Sequence, residues 1–146
     1  MVGLEQCDDG LNDSLGCTSD CLGTVPGYTC THIPGGISTC NPICGDLFRA
    51  PPELCDDGIK LDAKGCLPDC SGNLIKYSCA GGSLSSNDVC EPLCGDGFVI
   101  DSEVCDDGIK LDNKGCASDC SGNLTGWDCT PGDEFTASVC LPICGD

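Results

Sequence analysis

The sequence CDDGIKLDAKGCLPDCSGNLIKYSC, residues 55–79, returns as CDDGIKLDNKGCASDCSGNLTGWDC, residues 105–129, with 18 of 25 positions identical. A looser copy, CDDGLNDSLGCTSDCLGTVPGYTC, occupies residues 7–30. Cysteine, glycine and aspartate keep their order in all three copies. Such self-similarity predicts a structural module repeated in tandem, in which each unit contacts mainly its neighbours.

The amino-acid composition limits the possible fold classes. The chain has 146 residues with 18 cysteines, 21 glycines and nine prolines, and only six aromatic side chains. This density of cysteine is typical of small proteins that replace a hydrophobic core with disulfides. We therefore predict a small disulfide-rich repeat array, mostly loops with short β-ribbons and little helix, elongated in shape. A zinc-rich intracellular protein is the alternative, which the single histidine, His32, disfavours.

The cysteines also define the predicted domains. Equivalent cysteines recur at intervals of 48 to 50 residues. We predict repeat 1 at 1–43, without its leading CGD segment, repeat 2 at 44–93, repeat 3 at 94–143, and the start of a next repeat at 144–146. All 18 cysteines are predicted to form disulfides, with the pairing left open because six cysteines allow about 15 arrangements. They are Cys7, Cys17, Cys21, Cys30, Cys40, Cys44, Cys55, Cys66, Cys70, Cys79, Cys90, Cys94, Cys105, Cys116, Cys120, Cys129, Cys140 and Cys144.

Local patterns predict short elements. The alternation in residues 59–61, 109–111 and 98–100 suggests brief strands, and at most a helical turn is expected around each C-x-x-D-C. Gly10, Gly58 and Gly108 each follow Asp-Asp and are expected to adopt positive φ in turns.

The charge pattern limits the partners. With 24 acidic and six basic residues, the net charge is −18, which argues against nucleic acid and anionic lipid. The sequence contains no apolar run long enough for a membrane span, and its first residues do not resemble a signal peptide. Cations are the expected partners.

Calcium is the cation considered first, because repeated carboxylates beside turn glycines could supply its oxygen ligands. The alternative is a solvated acidic surface whose aspartates cap turns. The candidate ligands recur between copies 2 and 3: Glu53, Asp57, Asp62, Asp69, Glu103, Asp107, Asp112 and Asp119.

Two sequons, at Asn12 and Asn123, are candidate sites of N-glycosylation. No enzyme activity is expected, because His32 occurs in only one copy and no set of nucleophile, base and orienting group can be assembled. The paired cysteines are separated by three residues, unlike the C-x-x-C of thioredoxin-like redox sites.

The motif CGDGFVIDSEVCDDG, residues 94–108, followed by G-C-x-x-x-C and an aromatic before a cysteine, resembles a known family. It is similar to the cysteine-rich repeats of myxobacterial surface proteins and to a related repeat of unknown function in secreted ciliate and other protist proteins. The chain departs from that pattern at Leu47, where glycine is usual, and at Leu11, Ile59 and Ile109, where asparagine is usual. The resemblance implies an extracellular module and no known chemistry.

These observations favour a structural subunit of an extracellular fibre, appendage or cell-surface coat. An adhesion or ligand-recognition module of a large secreted protein is the alternative, and a protease inhibitor is disfavoured because no copy has a distinctive loop. Head-to-tail association of copies is also predicted, because Cys144 is left over when units are counted from CGD and repeat 1 lacks that cysteine. Excision from a longer repeat chain would equally explain the leftover Cys144 and the cysteine missing from repeat 1.

Overall fold

The computed structural model describes residues 5–11, 15–33, 35–60, 64–111 and 114–145. Within these residues the chain forms six four-residue strands and no helix. The strands pair consecutively into three two-stranded sheets, β1 with β2, β3 with β4 and β5 with β6. Their bounds are β1 Tyr28–Thr31, β2 Thr39–Pro42, β3 Tyr77–Ala80, β4 Val89–Pro92, β5 Trp127–Thr130 and β6 Val139–Pro142. A disulfide-rich repeat array with short β-ribbons, as predicted, is the architecture.

Each ribbon forms around a disulfide that joins its two strands. In the antiparallel first ribbon Cys30 lies opposite Cys40, and in the third Cys129 lies opposite Cys140. Both pairs are bonded, with Cα atoms 4.0 Å apart. A four-residue hairpin is marginal by itself, so a covalent bond between its strands stabilises it directly.

The strands predicted from alternation are wrong. Residues 59–60, 98–100 and 109–111 are irregular, and Leu61 lies outside the described residues. Ile59 and Ile109 follow the CDDG turns, where their amides bond to aspartate side chains instead of a neighbouring strand. Alternation therefore misled because no second strand is available there to complete a ladder.

Disulfides make up the interior. Apart from Tyr28 and Ala50, every buried hydrophobic residue among those described is a cysteine. The two bonds within each copy lie side by side: Cys17 Sγ is 3.9 Å from Cys40 Sγ, and Cys66 Sγ is 4.0 Å from Cys90 Sγ. Cystine sulfurs thus occupy the place that branched aliphatic side chains take in larger domains.

The pairing follows one rule. The cysteines are counted in sets of six, each set starting at a CDDG motif. In each set the first cysteine bonds the second and the fourth bonds the fifth. The sixth bonds the third cysteine of the next set. The bonds are 7–17, 30–40, 44–70, 55–66, 79–90, 94–120, 105–116 and 129–140.

The chain divides into two compact units. The first comprises Met1–Leu74 with Cys79–Cys90, and the second Ile75–Ser78 with Glu91–Asp146. Each unit contains one bond of the sixth-to-third kind, 44–70 in the first and 94–120 in the second. The repeat boundaries predicted from cysteine spacing stay a prediction. No helix in the described part of the chain has the length and apolar character needed to cross a membrane.

Candidate functional site

One feature that recurs along the chain is the junction between a CGD turn and the CDDG turn that follows it. We call it the linkage site: the CGD turn, its disulfide to the third cysteine, and the first aspartate of CDDG. In the first instance Cys44 bonds Cys70, and Asp56 is the aspartate. In the second, Cys94 bonds Cys120 and Asp106 is the aspartate.

The side chain of Asp106 binds the backbone amides of the CGD turn. One carboxylate oxygen, Oδ2, accepts hydrogen bonds from Gly95 N at 2.6 Å and Asp96 N at 3.1 Å. The other, Oδ1, accepts from Gly97 N at 3.1 Å and Gly108 N at 2.7 Å. The side chain is fully buried, so these four amides take the place of its water shell.

Asp56 repeats the arrangement. Its Oδ2 accepts from Gly45 N at 2.7 Å and Asp46 N at 3.3 Å, and its Oδ1 accepts from Gly58 N at 2.7 Å. Gly45 and Gly58 both have positive φ, at 82° and 80°, which aims their amides inward. Positive φ was predicted for Gly10, Gly58 and Gly108, and all three predictions are confirmed.

A second buried polar group lies behind each aspartate. Asp56 N donates to Asp88 Oδ2 at 2.9 Å, and Asp106 N donates to Ser138 Oγ at 3.1 Å. Asp88 also pairs with Arg49, whose Nη1 is 3.2 Å from Oδ1. Sequence reasoning missed these residues, although a signal exists: the residue two before the fifth cysteine is Ser38, Asp88 or Ser138, small and polar in every copy.

The second aspartate of each CDDG, predicted as a calcium ligand, closes the loop of the first disulfide. Asp57 accepts from Ile59 N at 3.0 Å through Oδ1 and from Cys66 N at 2.9 Å through Oδ2. Asp107 makes the same two contacts with Ile109 and Cys116, at 3.0 and 3.1 Å. These aspartates therefore fix the ends of the variable segment between the first two cysteines.

Asp69 and Asp119, the C-x-x-D-C aspartates, cap the turn before the linkage disulfide. Asp69 Oδ1 accepts from Ser71 Oγ at 2.6 Å and from Ser71 N at 3.1 Å, and Asp119 does the same with Ser121. The serine hydroxyl and then its amide lower the pKa of both exposed carboxyls. Both aspartates act as turn caps.

Glu53 and Glu103, the last described members of the predicted calcium set, lie beside the linkage site. Glu53 Oε2 accepts from Ala50 N at 2.8 Å and Glu103 Oε2 from Ile100 N at 3.0 Å. In each glutamate Oε1 is buried and has no hydrogen-bond partner among the described residues. Desolvation, assisted by the neighbouring Asp56 or Asp106, raises the pKa of both glutamates.

No curated protein and no solved structure matches the chain. A family model described as a domain of unknown function, DUF4215, matches residues 25–80 and 76–121. The chain belongs to the DUF4215 family.

Each of the two DUF4215 matches begins before one linkage site and ends after it. Residues 25–80 contain the whole of bond 44–70, and residues 76–121 contain the whole of bond 94–120. Each match therefore includes one complete linkage, with its aspartate and glutamate. The tandem DUF4215 copies and their extensive disulfides indicate an extracellular or secreted protein.

Two cysteines fall outside both DUF4215 matches and outside the eight bonds. Cys21, half-buried, and Cys144, exposed, are not bonded within the chain. The prediction that they form disulfides stays a prediction. By position Cys21 is a third cysteine, like Cys70 and Cys120, and Cys144 is a sixth cysteine, like Cys44 and Cys94.

The described carboxylates fit calcium only in part. Asp57, Asp69 and Glu53 accept hydrogen bonds from three separate backbone segments, and the same holds for their counterparts in the next copy. Asp62 and Asp112 lie outside the described residues. Lone pairs remain on each carboxylate, since an ionised carboxyl has about four acceptor positions. Calcium binding stays a prediction.

The sequons are likewise untested. Asn123 is exposed and pairs through its backbone with Cys116 in an isolated bridge, which leaves its side chain accessible. Asn12 lies outside the described residues. Glycosylation at both positions stays a prediction.

Proposed function

We propose that the chain is a non-catalytic building block of an extracellular fibre, appendage or cell-surface coat, made from tandem DUF4215 repeats. The observation that carries the proposal is the sixth-to-third disulfide, which ties each CGD turn to the C-x-x-D-C segment that follows it, with its cysteines 26 positions apart in both instances. A chain of repeats that are each closed by several disulfides is suited to persistence outside the cell rather than to turnover.

A second contact supports the proposal, because it crosses from one predicted repeat to the next. The aromatic two residues before the fourth cysteine reaches forward: Tyr28 Oη donates to Pro51 O at 2.9 Å. Tyr77 Oη donates to Asp101 Oδ2 at 2.7 Å. In each linkage a tyrosine thus also holds the segment between the CGD and CDDG turns.

Labelling of the source cells with an antibody raised against residues 1–146 tests the proposal. We expect the antibody to decorate a fibre or coat in electron micrographs. We also expect the antigen to resist extraction by detergent without reductant and to be released when dithiothreitol is added. Antigen found only as a freely soluble protein in the medium would contradict the proposal.

The alternative, an adhesion or ligand-recognition module, is favoured by one observation. A shallow groove in the first unit is lined by Arg49, Pro51, Pro52, Leu54, Ser83 and Leu84. Leu54 is 67% exposed there. Adhesion predicts that Leu54→Ser and Leu84→Ser abolish attachment of the labelled protein to surfaces while leaving its extraction behaviour unchanged.

A further inference from the structure

A cavity in the second unit reaches the disulfide of the second linkage site. The cavity has a volume of about 210 Å³. Its walls are formed by Cys94 and Glu103 together with Glu91, Pro92, Ser102 and Asp119, and all six residues belong to the second unit. The cavity therefore gives a small molecule access to one sulfur of bond 94–120.

The two cysteines of that bond differ in exposure. Cys94 is half-buried and lines the cavity, whereas Cys120 is 1% exposed. A nucleophile that enters the cavity meets Cys94 first, so the sulfur of Cys120 is the one that leaves. A buried thiolate has lost its water shell, and the Cys120 sulfur therefore needs a proton as it leaves.

Glu103 is placed to supply that proton. One of its carboxylate oxygens, one of Asp106 and the two sulfurs all lie within 4.8 Å of one another. Both oxygens of Asp106 already accept hydrogen bonds from backbone amides. In Glu103 only Oε2 does so, from Ile100 N, while Oε1 is buried and has no partner among the described residues. Glu103 thus has an oxygen left to carry a proton to Cys120.

The first linkage site also has a glutamate beside its disulfide. A carboxylate oxygen of Glu53 lies within 4.8 Å of the sulfurs of Cys44 and Cys70. Oε1 of Glu53 is likewise buried, with no partner in the described part of the chain. Desolvation raises the pKa of both glutamates, so each keeps its proton to a higher pH than an exposed glutamate does. The glutamate beside the disulfide is therefore a recurring part of the linkage.

The charge around the cavity limits which molecules enter it. Glu91 and Asp119 line the cavity, and both are exposed to solvent. Among the described residues that form its walls, none is a lysine or an arginine. The local field therefore repels an anionic thiol and attracts one that carries a positive charge.

We propose that bond 94–120 is a site of thiol–disulfide exchange, at which a small cationic thiol enters the cavity, attacks Cys94 and opens the linkage. The chemical class of the substrate is an aminothiol, for which cysteamine is the probe. The proposal goes beyond the proposed function, because it concerns one bond and does not depend on what the chain builds.

The reaction balances in atoms and electrons. The reagent thiolate attacks Cys94 Sγ, the S–S bond breaks, and its electron pair passes to Cys120 Sγ, which takes the proton of Glu103. A second reagent thiolate attacks the reagent sulfur of the mixed disulfide, which releases the Cys94 thiolate and the oxidised reagent. Two reagent thiols thus supply two electrons to the bond. The two protons that they lose on ionisation return through water to Cys94 and Glu103.

The test uses the oxidised chain, residues 1–146, with Cys21 and Cys144 alkylated beforehand and a chelator present. Cysteamine is added, and excess N-ethylmaleimide stops the reaction at timed intervals and labels the new thiols. Mass spectrometry of the digested chain then shows which bond has opened and which sulfur carries the reagent. We expect cysteamine on Cys94 and N-ethylmaleimide on Cys120. Bond 105–116, whose cysteines are each 1% exposed, should still be closed.

Three reagents of similar size test the charge of the substrate: cysteamine, which is cationic, mercaptoethanol, which is neutral, and mercaptoethanesulfonate, which is anionic. Each rate is divided by the thiolate fraction of the reagent and by its rate with hydroxyethyl disulfide, which removes differences in intrinsic reactivity. At low ionic strength, where the screening length is about 30 Å, we expect cysteamine to open bond 94–120 about tenfold faster than the sulfonate. In strong salt, where that length falls to about 3 Å, the difference should shrink to about twofold.

Charge variants locate this preference. Glu91→Gln combined with Asp119→Asn removes two charges from the cavity, so the preference for cysteamine at low ionic strength should fall to about threefold. The matched control combines Asp128→Asn with Glu134→Gln, which removes two charges at exposed positions that do not line the cavity. We expect the control to keep the wild-type preference.

Glu103→Gln tests the proton donor. We expect bond 94–120 to open more slowly by about a factor of ten or more, while bond 44–70, beside Glu53, opens at its wild-type rate. The direction of the change is informative, because loss of a merely structural contact would loosen the site and speed the opening. An unchanged or faster rate would contradict proton transfer from Glu103.

Three outcomes would overturn the inference: reagent on Cys120 instead of Cys94, bond 105–116 opening as fast as bond 94–120, or equal rates for the three reagents at low ionic strength. The second outcome would mean that the chain unfolds before it reacts. The antibody experiment is independent of all three. A decorated coat with an inert 94–120 bond would contradict the exchange site alone, and exchange in a freely soluble antigen would contradict the fibre alone.

Discussion

At the scale of the residue, the two aspartates of each CDDG motif have different structural roles. The first, at 56 or 106, is buried and binds the CGD turn. The second, at 57 or 107, binds the amide of the second cysteine. Sequence reasoning selected the second as a calcium ligand and overlooked the first, because burial is not visible in an acidic doublet that repeats without variation.

The buried aspartate gives the first prediction. Asp106→Asn replaces a charged acceptor of four amides with a neutral group that carries an N–H of its own. We expect it to lower the free energy of unfolding by about 2–4 kcal/mol. Urea unfolding followed by the fluorescence of Trp127, the single tryptophan, measures this. The control is Asp128→Asn at an exposed position, and equal effects of the two changes would contradict the proposed role of Asp106.

The second prediction concerns pH. Desolvation raises the pKa of Glu103 above its ordinary value of 4.5, so the folded state binds this proton more tightly than the unfolded state. The stability contributed by protonated Glu103 is therefore complete below pH 4.5 and is lost as pH rises through the folded pKa. Compared with Glu103→Gln, the wild type should lose free energy of unfolding as pH rises above 4.5 and through the folded pKa.

Unfolding of both proteins by urea at a series of pH values measures that difference. Glu134→Gln, at an exposed glutamate, is the matched control for loss of one charge. A wild-type curve that runs parallel to that of Glu103→Gln over the whole range would show that the buried Oε1 atom has no energetic consequence.

At the scale of the element, glycines decide where chain segments approach closely. Gly115 has a φ of 77°, and a Cβ there would lie 2.1 Å from Asp107 Oδ2 and 2.9 Å from Cys140 Sγ. Gly65 has the same environment, formed by Asp57 and Cys90. The glycine before each second cysteine thus lets the CDDG turn approach the ribbon disulfide.

The third prediction follows from that close approach. Gly115→Ala forces a strained φ and displaces the carboxylate that caps Cys116, so we expect a loss of about 2–4 kcal/mol in the free energy of unfolding. The control is Gly23→Ala, where no atom lies within 4 Å and φ is not in the left-handed region. Differential scanning calorimetry should show the Gly115 variant melting well below the Gly23 variant, and matching curves would refute the packing argument.

The elements also show what the sequence could and could not predict. A disulfide-rich repeat architecture with short β-ribbons followed from cysteine spacing and composition. The strand positions did not, because each strand of the ribbon that Cys30 and Cys40 join has only four residues, too few for alternation to distinguish it from a loop. The pairing of Cys44 with Cys70 was also beyond reach, since six cysteines allow about 15 arrangements and spacing alone does not choose among them.

At the scale of the whole molecule, the net charge of −18 opposes every compact arrangement of the repeats. Hydrogen bonds in the turns keep several of these carboxyls ionised, since they lower the pKa of Asp9, Asp20, Asp69 and Asp119. The resulting repulsion should make stability depend on dissolved cations.

The fourth prediction separates calcium from general screening. We expect calcium to raise the melting temperature more than sodium at equal ionic strength, and Asp57→Asn or Asp107→Asn to reduce the excess, because divalent binding draws on carboxylate oxygens. Scanning calorimetry in chelator, sodium and calcium provides the comparison. If sodium and calcium give the same curve, the carboxylates serve only as surface charge and turn caps.

The nesting of one disulfide inside another sets how the chain responds to tension. Bond 55–66 lies within the 26-residue loop of bond 44–70, and bond 105–116 lies within that of 94–120. When the chain is stretched, each outer disulfide bears the force, so the residues between its two cysteines do not extend. If a reductant cuts the outer bond, roughly 50 Å of chain is released while the inner loop stays closed. Cutting the inner bond then releases roughly 35 Å more, so each linkage lengthens in two steps of unequal size.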